Sequence, residues 1–394
     1  MSRDVIVFAG ALYDSPLWTN RQHVATRLSK RGWRVLYVEP RNFLPRMFLG
    51  RFPGTRGPWK WLLRSWSPWR AQQNLWVFSQ VNVVPGSRKR AWVSAFNHRM
   101  NAWRVLLCAR SRRFRRPALL LYDTEAVQYL PAFPNSRVVY DCVDDHRAQA
   151  GVRRNPARVE MEEQGILARA DAVAVTTESL LRRFQGQHPA VHLVPNVADV
   201  SAFLSYRGPE PDDIANIPHP RIGTVGALDG YKLDVALLGE VAQKRPSWNL
   251  VLVGPVEFVG KEWEERLENV LSLQHVPNIH FLGQKPYGDI PATVHAFDVA
   301  MIPYRESAYN RSSFPLKFWE FMASGTPVVA TGLPSLALYG HLATLATSRD
   351  EFIAGVEHAL LEQSEKRKKR VEEATRHDWD TRVKRIEELL ETPA

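Results

Sequence analysis

Short apolar runs alternate with helix-length segments along most of this chain, and that alternation limits what it can fold into. Val5–Gly10 reads as a strand, Gln22–Arg31 as a helix stopped by Gly32, and Arg34–Pro40 as the next strand. Ala118–Tyr122, Val138–Cys142, Ala172–Thr176 and Val191–Pro195 continue the strands, with helices predicted at Arg158–Arg169 and Ser179–Gln185. Apolar strands separated by helices imply a parallel sheet covered on both faces.

A polar, proline-rich stretch over residues 208–220 breaks the pattern and is the expected linker. A second series follows it: strands at Arg221–Gly226, Leu250–Gly254, Ile279–Leu282, Val299–Pro303 and Pro327–Ala330, with helices at Val235–Lys244, Glu262–Leu273, Ile290–Phe297 and Pro315–Ser324. Asp350–Gln363 and Glu365–Leu390 read as closing amphipathic helices. The fold class is therefore α/β, with two Rossmann-like domains facing a cleft. Residues 1–207 form the first domain, 221–375 the second, and 376–394 a C-terminal helix. Ligands of such sheets sit at the carboxyl ends of the strands.

Apolar content of 45% and charged content of 24% fit a soluble globular protein. No run of 18 apolar residues and no cleavable leader is visible, and Cys108 and Cys142 make no CxxC pair, so a cytoplasmic setting is expected. The net charge of +11 comes from one segment. Between Pro40 and Tyr122 there are 17 Lys and Arg, no Asp or Glu, and seven of the thirteen Trp residues. We treat about 41–116 as a basic, Trp-rich insertion in the first domain. Three readings suit it: nucleic-acid binding, docking on an anionic membrane surface, or a structural insertion with solvated arginines. No RNA-binding motif accompanies it, which disfavours nucleic acid.

The richest local pattern runs from Ser313 to Thr331. Ser313 is the expected N-cap and Pro315 lies in the first turn, leaving the N–H groups around Ser313 and Phe314 free for an anion. Lys317 adds a positive charge, and Glu320 offers two acceptor oxygens on the same face. The plain alternative is a solvated Lys–Glu pair, but Leu316, Phe318, Trp319, Phe321 and Met322 surround it with apolar side chains. A nucleotide diphosphate with its ribose suits the combination.

The ordered set of motifs resembles the GT-B glycosyltransferases of the group that includes family 4. It runs from Arg21-Gln22-His23 through Tyr140-Asp141-Cys142-Val143-Asp144-Asp145 and Val194-Pro195-Asn196-Val197. Gly223-Thr-Val-Gly226, Leu252-Val253-Gly254-Pro255 and Phe281-Leu282-Gly283 continue it, and Pro315-Leu316-Lys317 to Glu320 and Gly325-Thr326-Pro327 complete it. The resemblance implies sugar transfer from a nucleotide diphosphate sugar, with UDP as the expected nucleotide and no metal or other cofactor. It places the donor on Gly10, Gly226, Lys232, Gly254, Ser313, Phe314, Lys317 and Glu320. Two positions depart from the pattern. Ser312 stands where the first of two helix glutamates is usual, and Ala227 stands where the phosphate motif carries Arg.

Gly10 lets backbone approach the diphosphate, although an ordinary strand-end turn explains it as well. Asp145, and after it Asp144, are the candidate catalytic bases at the carboxyl edge of their strand; the alternative is that one caps the next helix and the other is solvated. Only His146 stands near them at ligand spacing, so a metal pair is not expected. His23 reads as packing or capping. The expected acceptor is a lipid-linked or glycan precursor at the inner face of the cell membrane, which gives the basic segment an anionic surface to meet. The rival is a non-catalytic basic protein on a GT-B-like scaffold, binding polyanions or the membrane surface.

Overall fold

A computed structural model describes residues 3–15, 18–43, 63–85, 90–153, 155–256, 270–362 and 364–392. The first domain runs β1 (Asp4–Phe8), α1 (Asn20–Lys30), β2 (Arg34–Phe43), β3 (Trp69–Gln72), β4 (Leu75–Asn82), α2 (Ala91–Ser111) and β5 (Ala118–Leu121). It continues with β6 (Val138–Cys142), α3 (His146–Arg153), α4 (Pro156–Leu167), β7 (Ala172–Val175), α5 (Glu178–Gln185) and β8 (Val191–Leu193). The strands form one sheet in the order β3-β4-β2-β1-β5-β6-β7-β8, parallel except for the β3–β4 pair. All five residues of β1 are buried, because its side chains feed two cores. Val5 and Val7 join Val24, Leu28 and Tyr37 on one face; Ile6 and Phe8 join Val105, Tyr129 and Ile166 on the other. This is why the strand reads as a continuous apolar run.

The second domain contains α6 (Val200–Leu204), α7 (Asp212–Ala215), β9 (Arg221–Val225), α8 (Val235–Lys244), β10 (Asn249–Val253), β11 (Ile279–Gly283), α9 (Ile290–His295) and β12 (Val299–Ile302). Then come α10 (Ala308–Ser312), α11 (Lys317–Ser324), β13 (Val328–Thr331), β14 (Thr344–Ala346), α12 (Arg349–Leu360) and α13 (Ser364–Thr375). Its sheet is parallel throughout, in the order β11-β10-β9-β12-β13-β14. The closing helix α14 (Trp379–Glu391) returns to the first domain.

Four boundaries differ from the sequence reading. The first core ends at Val197, and Ala198, Val200 and Phe203 already pack in the second, so the crossing precedes the linker at 208–220. Ile214 and Ile217, inside that linker, are buried in the second core. The helix expected over Glu365–Leu390 is two, because Asp378 accepts from the Thr381 N–H at 2.8 Å and starts α14 afresh. Trp379, Val383, Ile386, Leu389 and Leu390 of α14 then bury against the first domain. Finally, the described part of the basic segment is no insertion. β4 pairs with β2, and α2 is the crossover helix from β4 to β5. Trp59, Trp61 and most of the helix expected at Glu262–Leu273 lie outside the described residues.

The two chain crossings are joined to each other. Ala198 bridges Asp378, and the Ala198 N–H donates to the His377 carbonyl at 3.2 Å. Beside them the Arg382 guanidinium grips Asp141 through two hydrogen bonds of 2.8 Å, with both side chains fully buried. It also donates to the carbonyl of Pro195 at 2.9 Å.

Candidate functional site

β9 and β10 end on Gly226 and Gly254, with φ of 120° and 144°, a region L side chains rarely adopt. A Cβ on Gly254 would lie 1.9 Å from the Gly226 carbonyl oxygen, and one on Gly226 would lie 3.1 Å from Lys317 Nζ. The two glycines thus cross closely and leave room for a lysine head directly over the backbone. Lys317 opens α11, with its ammonium 5.3 Å from the Tyr304 ring. Burial, and next the nearby charge of Lys232, pull its pKa down to about 8. Lys232 lies 3.4 Å from Asp229 and 5.0 Å and 5.9 Å from the rings of Tyr231 and Tyr309. Burial opposes its charge, and the oxygens of Tyr309, Asp229, Tyr231 and Tyr304 more than offset that, so its pKa is raised.

One turn along α11 is Glu320, whose Oε1 accepts from the Tyr287 hydroxyl at 3.2 Å. Burial pushes its pKa up to about 7, against the pull of Tyr287 and Lys317. Tyr287 in turn faces His23, with ring centroids 6.1 Å apart. His23 is stacked on Trp379 at 4.2 Å and contacts Arg27 at 2.9 Å, and burial lowers its pKa to about 3. It is a neutral packing residue on the wall opposite Glu320.

Ser313 is not the N-cap of α11. The helix begins two residues later than expected, with Leu316 before its first residue, and Ser313 instead closes α10. The Ser313 N–H donates to Asn310 at 3.4 Å, so it is not a free donor. Among the described residues, the N–H groups of Phe314, Leu316 and Lys317 have no backbone acceptor. Phe314 itself is buried and stacked on Trp319 at 5.6 Å, and its carbonyl accepts from Asn196 at 2.9 Å. Asn196 also receives Asn20 at 2.8 Å, and its carbonyl receives Trp319 Nε1 at 2.9 Å. It therefore ties the loop before α11 to the first domain. Ser312 spends its hydroxyl on the carbonyls of Ala308 and Tyr309, and Glu306 is exposed and paired with Arg311 at 2.8 Å. Neither Ser312 nor Glu306 thus supplies the carboxylate that the family pattern carries at position 312.

The two candidate bases separate. Asp145 caps α3, accepting from the N–H groups of Arg147 at 3.0 Å and Ala148 at 3.3 Å, and it pairs with Arg183 at 3.2 Å. Asp144 instead reaches across to the second domain and accepts from the Tyr309 hydroxyl at 3.1 Å. Gly10, with φ of 62°, lies against Asp123: a Cβ there would be 2.7 Å from Asp123 Oδ2. The structure brings Gly226, Gly254, Lys232, Lys317 and Glu320 close together, and Asp144 is linked to them through Tyr309, which lies beside Lys232. Gly10 stands on the first domain's edge, and Asp145 points elsewhere.

Sequence reasoning passed over Tyr287, Tyr309 and Asp123, and it named Asn196 only as part of the Val194–Val197 motif, without a role. Single tyrosines and asparagines in loops carry no spacing signal; only the fold brings them to the site.

Comparison with known proteins agrees with this fold. Residues 219–362 match the model of the glycosyl transferases group 1. TuaH of Bacillus subtilis (strain 168), named as a glycosyltransferase for teichuronic acid biosynthesis, is 29% identical over 210 residues, 50% of this chain and 51% of its own. The D-inositol 3-phosphate glycosyltransferase of Corynebacterium diphtheriae is 27% identical over 266 residues, covering 62% and 61%. The matched part thus spans between half and two thirds of these relatives. Among solved structures, sucrose-phosphate synthase from Thermosynechococcus elongatus superposes with a TM-score of 0.73 at 15% identity, over 98% of this chain and 97% of the other. HepE of Anabaena, solved with UDP and glucose, gives 0.66 at 16% identity over 100% of both. The chain has the GT-B fold, and residues 219–362 of its second domain match the glycosyl transferases group 1.

Proposed function

We propose that the protein transfers a sugar from a nucleotide diphosphate sugar to an acceptor of cell-surface glycan synthesis. The observation that carries this is Lys317, a half-buried cation held over the Gly226 backbone beside a second cation, Lys232. Two neighbouring ammonium groups at the carboxyl edge of a parallel sheet call for a multivalent anion, and a diphosphate supplies it. Glu320, one turn away, accepts the ribose hydroxyls once Tyr287 yields its place. As the bond to the sugar breaks, negative charge grows on the leaving diphosphate, and the two lysines stabilise it where a metal ion would otherwise be needed. UDP is the proposed nucleotide, in keeping with the UDP bound to HepE.

For the acceptor we assign Asp144 the general-base role, because its carboxylate faces the second domain while that of Asp145 is spent on α3 and Arg183. The acceptor is a lipid-linked or polysaccharide precursor at the cytoplasmic face of the membrane. TuaH, a relative, is named for teichuronic acid biosynthesis.

Incubation with a panel of nucleotide sugars in excess EDTA tests this reading. Slow release of a nucleoside diphosphate from one donor, unaffected by EDTA, is expected. Activity lost with chelator and restored by magnesium or manganese would overturn metal-independent catalysis. No release from any donor, with no thermal stabilisation by any nucleotide, would favour a basic binding protein on a GT-B-like scaffold.

A further inference from the structure

α2 has the wrong outer face for a crossover helix. Its inner side is ordinary: Val93, Ala102, Val105, Cys108 and Ala109 are buried against the sheet and its neighbours. The outer side of such a helix is normally polar. Here it carries Trp92, Phe96, Trp103 and Leu107, exposed by 63%, 51%, 60% and 40%. At about 100° per residue these four, with Arg99 and Arg110, fall in one arc of about 80° along some 27 Å of helix. A contiguous apolar stripe of this kind marks an interaction surface rather than scattered surface residues.

Charge identifies the partner. From Ala91 to Arg116 there are seven arginines and no Asp or Glu. Among the described residues, neither Arg99 nor Arg110 pairs with a carboxylate, and both are exposed on the stripe itself. A second copy of the chain meeting this face about a twofold axis would set these arginines against each other without an acid to separate them. A surface bearing phosphate groups matches both components: tryptophan rings at headgroup depth and guanidinium groups on the phosphates. The helix does not cross the bilayer. Its other side is packed in the protein core, and among the described residues no helix is long and apolar enough to span a membrane.

We propose that the outer stripe of α2 is the surface by which this protein docks on an anionic lipid membrane. The placement also serves the cleft. α2 follows β4, so its first turns lie at the carboxyl edge of the sheet, where Asn97 accepts from the N–H groups of Val83 and Val84 at 3.2 Å each. Trp92 and Phe96 therefore sit at the rim of the first domain, where an acceptor carried on a lipid would enter. The inference rests on the membrane-side acceptor of the proposed function, but its test needs neither donor nor acceptor.

The test is co-sedimentation of the full chain with phosphatidylglycerol vesicles and with phosphatidylcholine vesicles, at low and high salt. The protein should pellet with the anionic vesicles at least ten-fold more strongly, and lose that binding as salt rises. A W92S/F96S/W103S/L107S variant, and separately R99E/R110E, should each weaken binding by ten-fold or more. Stabilisation by nucleoside diphosphate should be unchanged in both, which shows the fold and donor site intact. Equal binding of wild type to both vesicle types, no binding to either, or full binding by both variants would overturn the proposal. So would a dimer of wild type that the apolar variant dissociates, since the stripe would then cover a second copy. Loss of nucleotide binding in wild type would count against the proposed function and leave the docking result standing.

Discussion

At Lys317 and Glu320 the burial that defines the site also sets its response to pH. The Lys317 pKa, about 8, lies below its ordinary 10.5, and that of Glu320, about 7, lies above its ordinary 4.5. Raising pH from 4.5 to 7 releases the Glu320 proton from the unfolded chain first, so stability falls across that window. Raising pH from 8 to 10.5 releases the Lys317 proton from the folded chain first, so stability rises there. Between 7 and 8 the free protein holds both charges against burial. Lys317→Met should therefore raise the melting temperature of the free protein at pH 7.5 while abolishing donor binding. A lower melting temperature would show that the ammonium stabilises the fold instead. Donor affinity itself should peak between about pH 7 and 8, since Glu320 must be ionised and Lys317 charged. Lys317→Arg, which stays charged, should remove the alkaline fall seen by calorimetry.

Among the elements, the strands bearing the site were legible in the sequence because their apolar runs are unbroken and their ends are punctuated by glycine or proline. β9, β10, β12 and β13 lie within a residue or two of the expected spans. The start of α11 was not legible. Ser313 and Pro315 form a reasonable cap pattern, but the Asn196 bond to the Phe314 carbonyl and the Ser335 bond to the Ser313 carbonyl (2.7 Å) hold the loop extended. Partners from more than a hundred residues away, and from the next loop, decided the boundary. The choice between Asp144 and Asp145 was hidden for the same reason, since Arg183 and Tyr309 are distant in sequence. The two aspartates should now behave differently. Asp145→Ala should cost stability, about 0.5–2 kcal/mol from the lost cap, and leave transfer largely intact. Asp144→Asn should reduce turnover with little change in melting temperature. The opposite pattern would return the base role to Asp145.

For the whole molecule, the structural question is what keeps two domains in register when the chain crosses between them twice. The bridge from Ala198 to Asp378 joins the crossings, and the Asp141–Arg382 pair anchors α14 to the first domain. Arg382→Ala would leave a fully buried Asp141 carboxylate unpaired, a loss of about 3–5 kcal/mol read from denaturant unfolding. An effect below about 1 kcal/mol would show that the pair is dispensable. None of this long-range pairing can be read from local sequence, which is why the C-terminal helix was assigned to itself rather than to the first domain.

The proposed sugar transfer depends on Lys317 and Glu320 holding a nucleotide diphosphate. Calorimetric titration of the donor that the panel identifies, into wild type, Lys317→Ala and Glu320→Ala at pH 7.5, tests that most directly. Charge-assisted hydrogen bonds are worth about 1.5–3 kcal/mol each, so each variant should bind at least ten-fold more weakly while keeping its fold. Unchanged affinity in both folded variants would contradict the account.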